Sequence, residues 1–302
     1  MDIRAALKET ITRLRDATVP SHTLAAELLL MHSLGRDRTW LYTHPEAELD
    51  PTVAEKYFAL VARRAAGEPT QYLTGHQEFW GLDFEVTPAV LIPRPETEHV
   101  VEVALERLGA RGIKINLLNG APSPQLRIAD VGTGSGCIAV ALAHELPHAE
   151  IIATDISAAA LEVAKRNAAR HGVTDRINFL QSDLLESFHQ PLATSHSPLL
   201  FDLIASNPPY IARDEAANLP REVRDHEPDA ALFGGPTGAE FYARIIRQSA
   251  ELLRPSGILV LELGHDSAAH VGAHLSTSSD WTDVRITNDL AGIPRVISAE
   301  RG

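Results

Sequence analysis

Residues 126–137, Leu126-Arg127-Ile128-Ala129-Asp130-Val131-Gly132-Thr133-Gly134-Ser135-Gly136-Cys137, decide the fold of this 302-residue chain. An apolar run reaches an acidic residue and breaks into alternating glycines, and an Ile/Ala/Val/Leu stretch follows at once. This reads as a buried strand, a tight turn and a helix. Glycine adopts backbone angles closed to other residues and lets a ligand approach the main chain. The spacing is G-x-G-x-G, not the dinucleotide fingerprint, because Cys137 stands where the last glycine would be. Asp155 ends the next apolar strand, about 20 residues on, where a carboxylate can accept both hydroxyls of a ribose. A nucleoside-containing ligand is expected. No lysine-bearing phosphate cradle lies nearby, which argues against P-loop chemistry.

Downstream, the rhythm continues. Helices are expected at Ile138–Leu146, Ala158–Arg170 and Phe241–Leu253. Strands are expected at Ile151–Thr154, Ile177–Leu180, Leu200–Ala205 and Ile258–Leu263, with Pro255-Ser256-Gly257 as a turn. Such alternation implies a mostly parallel sheet covered on both faces, with ligands at the carboxyl ends of its strands. Two loops are expected, at about 109–125 and 187–198. Upstream, residues 1–70 read as helices only. Ile3, Leu7, Ile11 and Leu14 share one face, Gly35 caps a second helix, and Asp50-Pro51 opens another that Gly67 closes. Residues 76–86 suggest a β-hairpin around Gly81. A Pro-punctuated loop from Leu91 to Glu98 then opens a helix whose acidic first turn suits the helix dipole.

Asn207-Pro208-Pro209-Tyr210 follows an apolar strand directly. Two prolines stop the strand and stiffen the backbone. The bland alternative is a Pro-rich strand exit with an Asx turn. The chemical alternative is specific. An amide or exocyclic amine nitrogen is a poor nucleophile because its lone pair is delocalised. An Asn carbonyl and a main-chain carbonyl can accept the two N–H bonds of an –NH2 group and orient it. Tyr210 can lie against a planar group. Attack on a methyl sulfonium would then rest on positioning and electrostatics. Asp183, after the third strand, is either a contact for an adenine amino group or an exposed loop acid. His144-Glu145-Leu146-Pro147-His148 matches a zinc-protease string, but Pro147 would break the helix between the two histidines, so no metal is expected. Cys137 reads as a small residue packed beside the glycine loop.

Composition narrows the classes. Hydrophobic residues make up 44% and charged ones 22%, an ordinary globular mix. One cysteine excludes an internal disulfide framework. No signal-peptide core opens the chain and no apolar run reaches membrane-spanning length, so a cytoplasmic protein without a membrane partner is expected. A net charge of −13 disfavours non-specific nucleic-acid binding. Residues 1–70 hold 9 Lys+Arg and 10 Asp+Glu, so −12 of that charge lies in residues 71–302. Arg213–Asp229 holds three Arg and six acids and reads as an acidic rim for a basic protein substrate.

Several stretches together resemble one family: GEPTQYLTGHQEFWGLDFEVTPAVLIPRPETE, ADVGTGSGCIAVALA, SNPPYI and DLAGIPRVI. They are similar to the protein-(glutamine-N5) methyltransferases that modify peptide chain release factors, the PrmC/HemK family. Asn-Pro-Pro-Tyr alone is shared with DNA adenine and some RNA guanine methyltransferases, so a base amino-methyltransferase is the alternative. The LIPRPETE block is far more specific. The resemblance covers essentially the whole chain. It implies an α/β, Rossmann-like, seven-stranded class I methyltransferase sheet with a small all-helical N-terminal domain. The corresponding division is 1–70 for a substrate-recognition bundle, 71–90 for a hairpin linker and 91–302 for the methyltransferase. It implies S-adenosylmethionine as donor and the glutamine of a release-factor Gly-Gly-Gln motif as acceptor, in a monomer that binds no nucleic acid directly. Gly132, Thr133, Gly134, Ser135 and Gly136 would line the donor, Asp155 its ribose, and Asp183 and Leu184 its adenine. Asn207, Pro208, Pro209 and Tyr210 would hold the glutamine amide, with Asn207, Pro208 and Tyr210 catalytic and Asn207 also beside the donor. Arg94 to Glu98 would border the cleft. Ser267 stands where the family usually has Gln, and Ile293-Pro294 before Arg295 is also unusual, so Arg295 receives no role.

Overall fold

The computed structural model describes residues 1–110, 126–189 and 199–302. In chain order the helices are α1 (Ile3–Asp16), α2 (His22–Leu34), α3 (Arg38–Thr43), α4 (Pro51–Ala65), α5 (Thr70–Thr74), α6 (Glu98–Ala110), α7 (Cys137–Glu145), α8 (Ala158–Arg170), α9 (Arg221–His226), α10 (Asp229–Leu232), α11 (Glu240–Leu252) and α12 (Ala268–Thr277). The strands are β1 (His76–Phe79), β2 (Leu82–Glu85), β3 (Arg127–Val131), β4 (Glu150–Asp155), β5 (Ile177–Gln181), β6 (Phe201–Ser206), β7 (Ile211–Ala212), β8 (Phe233–Gly235), β9 (Leu253–Glu262), β10 (Trp281–Asn288) and β11 (Pro294–Arg301). Contacts divide the chain into two units, one of Met1–His76 with Leu219–Glu227 and one of Gln77–Asn218 with Pro228–Gly302.

The first unit is a helical bundle. The Asp2 carboxylate caps α1 by accepting from Ala5 N at 2.7 Å, and Asp50 caps α4 by accepting from Thr52 N at 2.8 Å. Pro51 opens α4, where its missing N–H costs nothing. Ala25, Ala26, Leu29 and Leu30 are fully enclosed, so α2 is the central helix, packed by Ile3 and Leu14 of α1 and by Tyr57 and Val61 of α4. Residues 219–227 belong to this bundle although they follow the Asn-Pro-Pro-Tyr segment in sequence. Arg64, at the end of α4, is buried and paired with Glu222 of α9. Arg221 pairs with Asp225, as does Arg224, so Glu222 and Asp225 of the expected acidic rim are already matched by arginines.

The second unit is built on a seven-stranded sheet of order β10-β11-β9-β6-β3-β4-β5. The strands from β9 to β5 are parallel and β10 and β11 antiparallel. The expected α/β sheet is present with its seven strands. Alternation along β3 separates two cores. Ile128 faces Val101, Ala104 and Leu108 of α6 and Val140 of α7. Ala129 and Val131 face Tyr242 and Ile245 of α11 and Val271 of α12. The hairpin of β1 and β2 buries Phe79 and Phe84, edge to face at 6.0 Å, in the first of these cores.

Three expectations are revised. Pro255-Ser256-Gly257 does not precede the strand but lies inside β9, which skips register against β6 between Phe201↔Leu253 and Leu203↔Ile258. Pro255 cannot donate to a ladder, and Ser256 takes φ +63°, so the chain loops out and rejoins. Residues 109 and 110 continue α6, and Glu186–His189 forms a 3₁₀ turn. The rest of the two expected loops, 111–125 and 190–198, lies outside the described residues. No helix among the described residues is long and apolar enough to cross a membrane.

Candidate active site

Register aligns the strand ends. Val131 lies opposite Thr154 of β4 and opposite Ser206 of β6, and Ser206 lies opposite Leu261 of β9. The glycine loop, Asp155, Asn207 and Glu262 therefore leave the sheet at one edge.

Gly132, Gly134 and Gly136 all have positive φ, which accounts for their spacing. A Cβ on Gly136 would meet Ala164 of α8 at 3.1 Å, so this glycine serves packing. A Cβ on Gly132 or Gly134 would meet nothing within 4 Å, so these two border open space. Beneath them Asp130 is fully buried, and its Oδ2 accepts from Thr133 Oγ1 at 2.6 Å and Ala139 N at 3.0 Å. Its Oδ1 has no partner among the described residues. Burial pushes this carboxyl up to about 7. Asp155 accepts from Gly134 N at 2.9 Å and Ser157 N at 2.8 Å, and burial raises it also. The Asp155 carbonyl accepts from Ser182 N at 3.0 Å, which brings the loop after β5 to the same place. On that loop Asp183 accepts from Arg244 of α11 at 2.7 Å, and Leu184 is buried with φ +53°. Cys137 is buried with its thiol pushed up to about 12, so it is no nucleophile. Helix α7 ends at Glu145, which accepts from Trp80 Nε1 at 2.9 Å, so His148 lies beyond the helix that carries His144.

The Asn-Pro-Pro-Tyr segment is clamped. Asn207 Nδ2 donates to Thr97 Oγ1 at 3.0 Å, and Ser206 Oγ donates to the Val131 carbonyl at 2.7 Å. Pro208 is buried. A Cβ on Gly234 would meet the Pro209 carbonyl at 2.5 Å, and one on Gly264 would meet the Tyr210 ring at 2.6 Å. Glycine at both places lets β8 and the chain after β9 press on the Asn-Pro-Pro-Tyr segment. Tyr210 OH lies 3.4 Å from Glu262 Oε1. Burial and the neighbouring Glu262 raise the Tyr210 phenol, which stays a donor. Glu262 is itself 2% exposed, and burial pushes its carboxyl up to about 7 against the Thr97 hydroxyl, the Tyr210 hydroxyl and Arg295.

The glycine loop, Asp155, Asp183 and Leu184 are thus gathered at the edge where Asn207–Tyr210 also emerges. Sequence reasoning gave neither Glu262 nor Arg295 a role, and it placed Thr97 only at a border. The signal for Glu262 was available: a carboxylate at the end of an otherwise apolar strand beside β6.

Comparison with known proteins adds the lineage. Residues 5–75 match the model of the PrmC N-terminal domain, and residues 115–223 match that of the methyltransferase small domain. A release factor glutamine methyltransferase of Koribacter versatilis is 44% identical over 98% of this chain and 98% of its own. The chain belongs to the release factor glutamine methyltransferase family. A second such methyltransferase, of Moorella thermoacetica, is also 44% identical, over 100% of this chain and 99% of its own. Among solved structures, the catalytic domain of hMettl16 in complex with a MAT2A 3′UTR hairpin covers 80% of this chain and 81% of its own, at TM-score 0.55 and 21% identity. At that identity the likeness concerns the fold alone, and it confirms the Rossmann-like methyltransferase sheet. Within this methyltransferase, the strand-end cluster just described is the candidate active site.

Proposed function

We propose that the protein transfers a methyl group from S-adenosylmethionine to the side-chain amide nitrogen of the glutamine in a release-factor Gly-Gly-Gln motif. The observation that carries this reading is the hold on Asn207. Its Nδ2 is occupied by Thr97, so its Oδ1 is the end left to accept from a substrate –NH2. The Pro208 carbonyl is the second acceptor proposed for that group, and Tyr210 flanks the amide plane. Two acceptors on one –NH2 orient the nitrogen and favour electron density on it, and positioning of this kind lowers a barrier by several kcal/mol, roughly 3–7.

The donor site fits the nucleoside sulfonium. Open space beside Gly132 and Gly134 admits the methionine and ribose portions, and the carboxylate of Asp155 can turn to the ribose hydroxyls. Thr133 and Ser135 complete the loop, and Asp183 and Leu184 suit the adenine. When bound, the donor supplies an electrophilic methyl on a cationic sulfur. The protein need provide no strong base, because the amide proton can leave after transfer.

The helical unit, here residues 1–70 with the hairpin at 71–90 leading to the methyltransferase proper at 91–302, is assigned to recognition of the protein substrate. A monomeric cytoplasmic enzyme that meets release factor without nucleic acid completes the reading. Incubation with labelled donor and either release factor or duplex DNA tests it. Label on the Gly-Gly-Gln glutamine, located by mass spectrometry, is expected. Label only in DNA would overturn it in favour of the base methyltransferase.

A further inference from the structure

We infer that Thr97 and Glu262 are positioning residues: they fix the direction of the hydrogen-bond chain that ends at Asn207 and so decide which end of its amide faces the acceptor. This rests on the function proposed above.

A primary amide has two similar ends, and a site that needs an acceptor is served by only one of them. Prolines stiffen the Asn207 backbone but do not choose between its oxygen and its nitrogen. The choice falls to what the buried end touches. That partner is Thr97 Oγ1, 3.0 Å from Asn207 Nδ2 and on a residue 2% exposed. A hydroxyl carries one proton. If it gives that proton away it can only accept from Asn207, and the amide must present N–H inward and oxygen outward. If it keeps the proton for Asn207, the amide turns over and offers N–H to a substrate that is itself N–H.

Glu262 supplies the place for the proton to go. It sits at the end of β9, beside the end of β6, and is 2% exposed. The Thr97 hydroxyl holds the titration of this carboxyl down, and Tyr210 OH approaches Oε1 at 3.4 Å; donation from the Thr97 hydroxyl to the carboxyl is the inferred link. The other oxygen, Oε2, is buried and has no hydrogen-bond partner among the described residues. A carboxylate is acceptor-only. While it is ionised, both hydroxyls must point toward it, Thr97 is left as an acceptor, and Asn207 Oδ1 faces outward. A buried carboxyl with one orphaned oxygen is costly to keep, and packing alone would be met better by an apolar side chain.

The chain has a titration. Burial holds the Glu262 carboxyl up at about 7. The groups that face it are Glu96 from the Pro-rich loop, Tyr210, Tyr242 of α11, Arg295 of β11 and Cys137 of α7. Below that pH the protonated carboxyl can donate to Thr97, whose own proton then turns to Asn207 and reverses the amide. Turnover should therefore rise with pH through about 7 while donor binding does not.

The test is steady-state methylation of release factor by wild type, Thr97→Val, Thr97→Ser and Glu262→Gln, with donor affinity by calorimetry and a pH profile of kcat. Thr97→Val keeps shape and loses the hydroxyl; its kcat should fall on the order of 10–100-fold, with KM for release factor and donor affinity within about twofold. Thr97→Ser should restore most of the loss. Glu262→Gln can donate or accept, so its kcat should fall and its acid limb near pH 7 should disappear. Wild-type kcat in Thr97→Val, or equal losses in Val and Ser, would overturn the positioning role. Label absent from release factor with the wild-type enzyme would instead remove the proposed function, and the relay with it.

Discussion

Asp155 shows how one side chain can be read from sequence and still be incompletely known. Its place at the end of β4 followed from an apolar run and a spacing, and a ribose contact was expected. Its bonds to Gly134 N and Ser157 N were not legible, because they depend on how the loop folds back. Asp155→Ala should therefore weaken donor binding by about 10–150-fold, the equivalent of roughly 1.5–3 kcal/mol. Calorimetry with unchanged affinity would remove it from the site. Asp130 and Glu262 carry a different prediction. Both carboxyls are raised by burial, from ordinary values of 3.8 and 4.5 to about 7. Between those limits the folded protein holds protons that the unfolded chain has released, so their contribution to stability is full below about pH 4 and declines as pH rises to about 7. Asp130→Asn should flatten that decline in melts recorded across the window. An unchanged slope would show that Asp130 is not the linked group. Burial of this kind is not written in a residue type; for Glu262 only its place at the end of an apolar strand pointed to it, and that signal went unused.

Elements with a clear period were legible, and those set by tertiary context were not. Helix α8 was expected at its observed limits from the alternation of strands and helices, and the structure adds Ser157 as its cap. Strand β10 was not read, because it lies at the sheet edge and most of its side chains are exposed. Nor was the job of Asn167 on α8. This residue is fully buried, accepts from Glu85 N at 2.7 Å, and donates to the carbonyls of Glu85 at 3.0 Å and Ser135 at 2.8 Å. One amide thus joins β2, α8 and the glycine loop. Asn167→Ala would remove three hydrogen bonds to partly or wholly buried backbone groups, at a cost of about 2–4 kcal/mol. For a unit of this size a fall in Tm of roughly 5–15 °C is expected, along with weaker donor binding because the Ser135 carbonyl loses its tether. A melt within a degree of wild type would show that water replaces the amide.

The whole molecule was legible as a helical part followed by an α/β part, but not in its contact pattern. Nothing in residues 219–227 announces that they pack with the N-terminal bundle. What holds them is Arg64, whose side chain is 5% exposed, with Glu222 at 29%. Nη1 of Arg64 also donates to the Glu68 carbonyl at 3.1 Å, while Nε has no partner among the described residues. Glu222→Gln leaves a buried guanidinium without its countercharge and should cost roughly 2–3 kcal/mol, somewhat under the value for a wholly buried pair. Replacing both residues by Met should recover much of that loss in thermal melts. If the double variant were as unstable as the single, shape and not charge would be holding the segment.

That pairing has a consequence for how the protein is made. The two partners are 158 residues apart in sequence. At about 5–20 residues per second, the N-terminal bundle leaves the ribosome roughly 10–30 s before its last helix is synthesised. During that interval Arg64 and the surface that will receive residues 219–227 are open to water. The bundle therefore reaches its final form only when the chain beyond the Asn-Pro-Pro-Tyr segment has been translated, and the first part of the protein to be made is among the last to be finished.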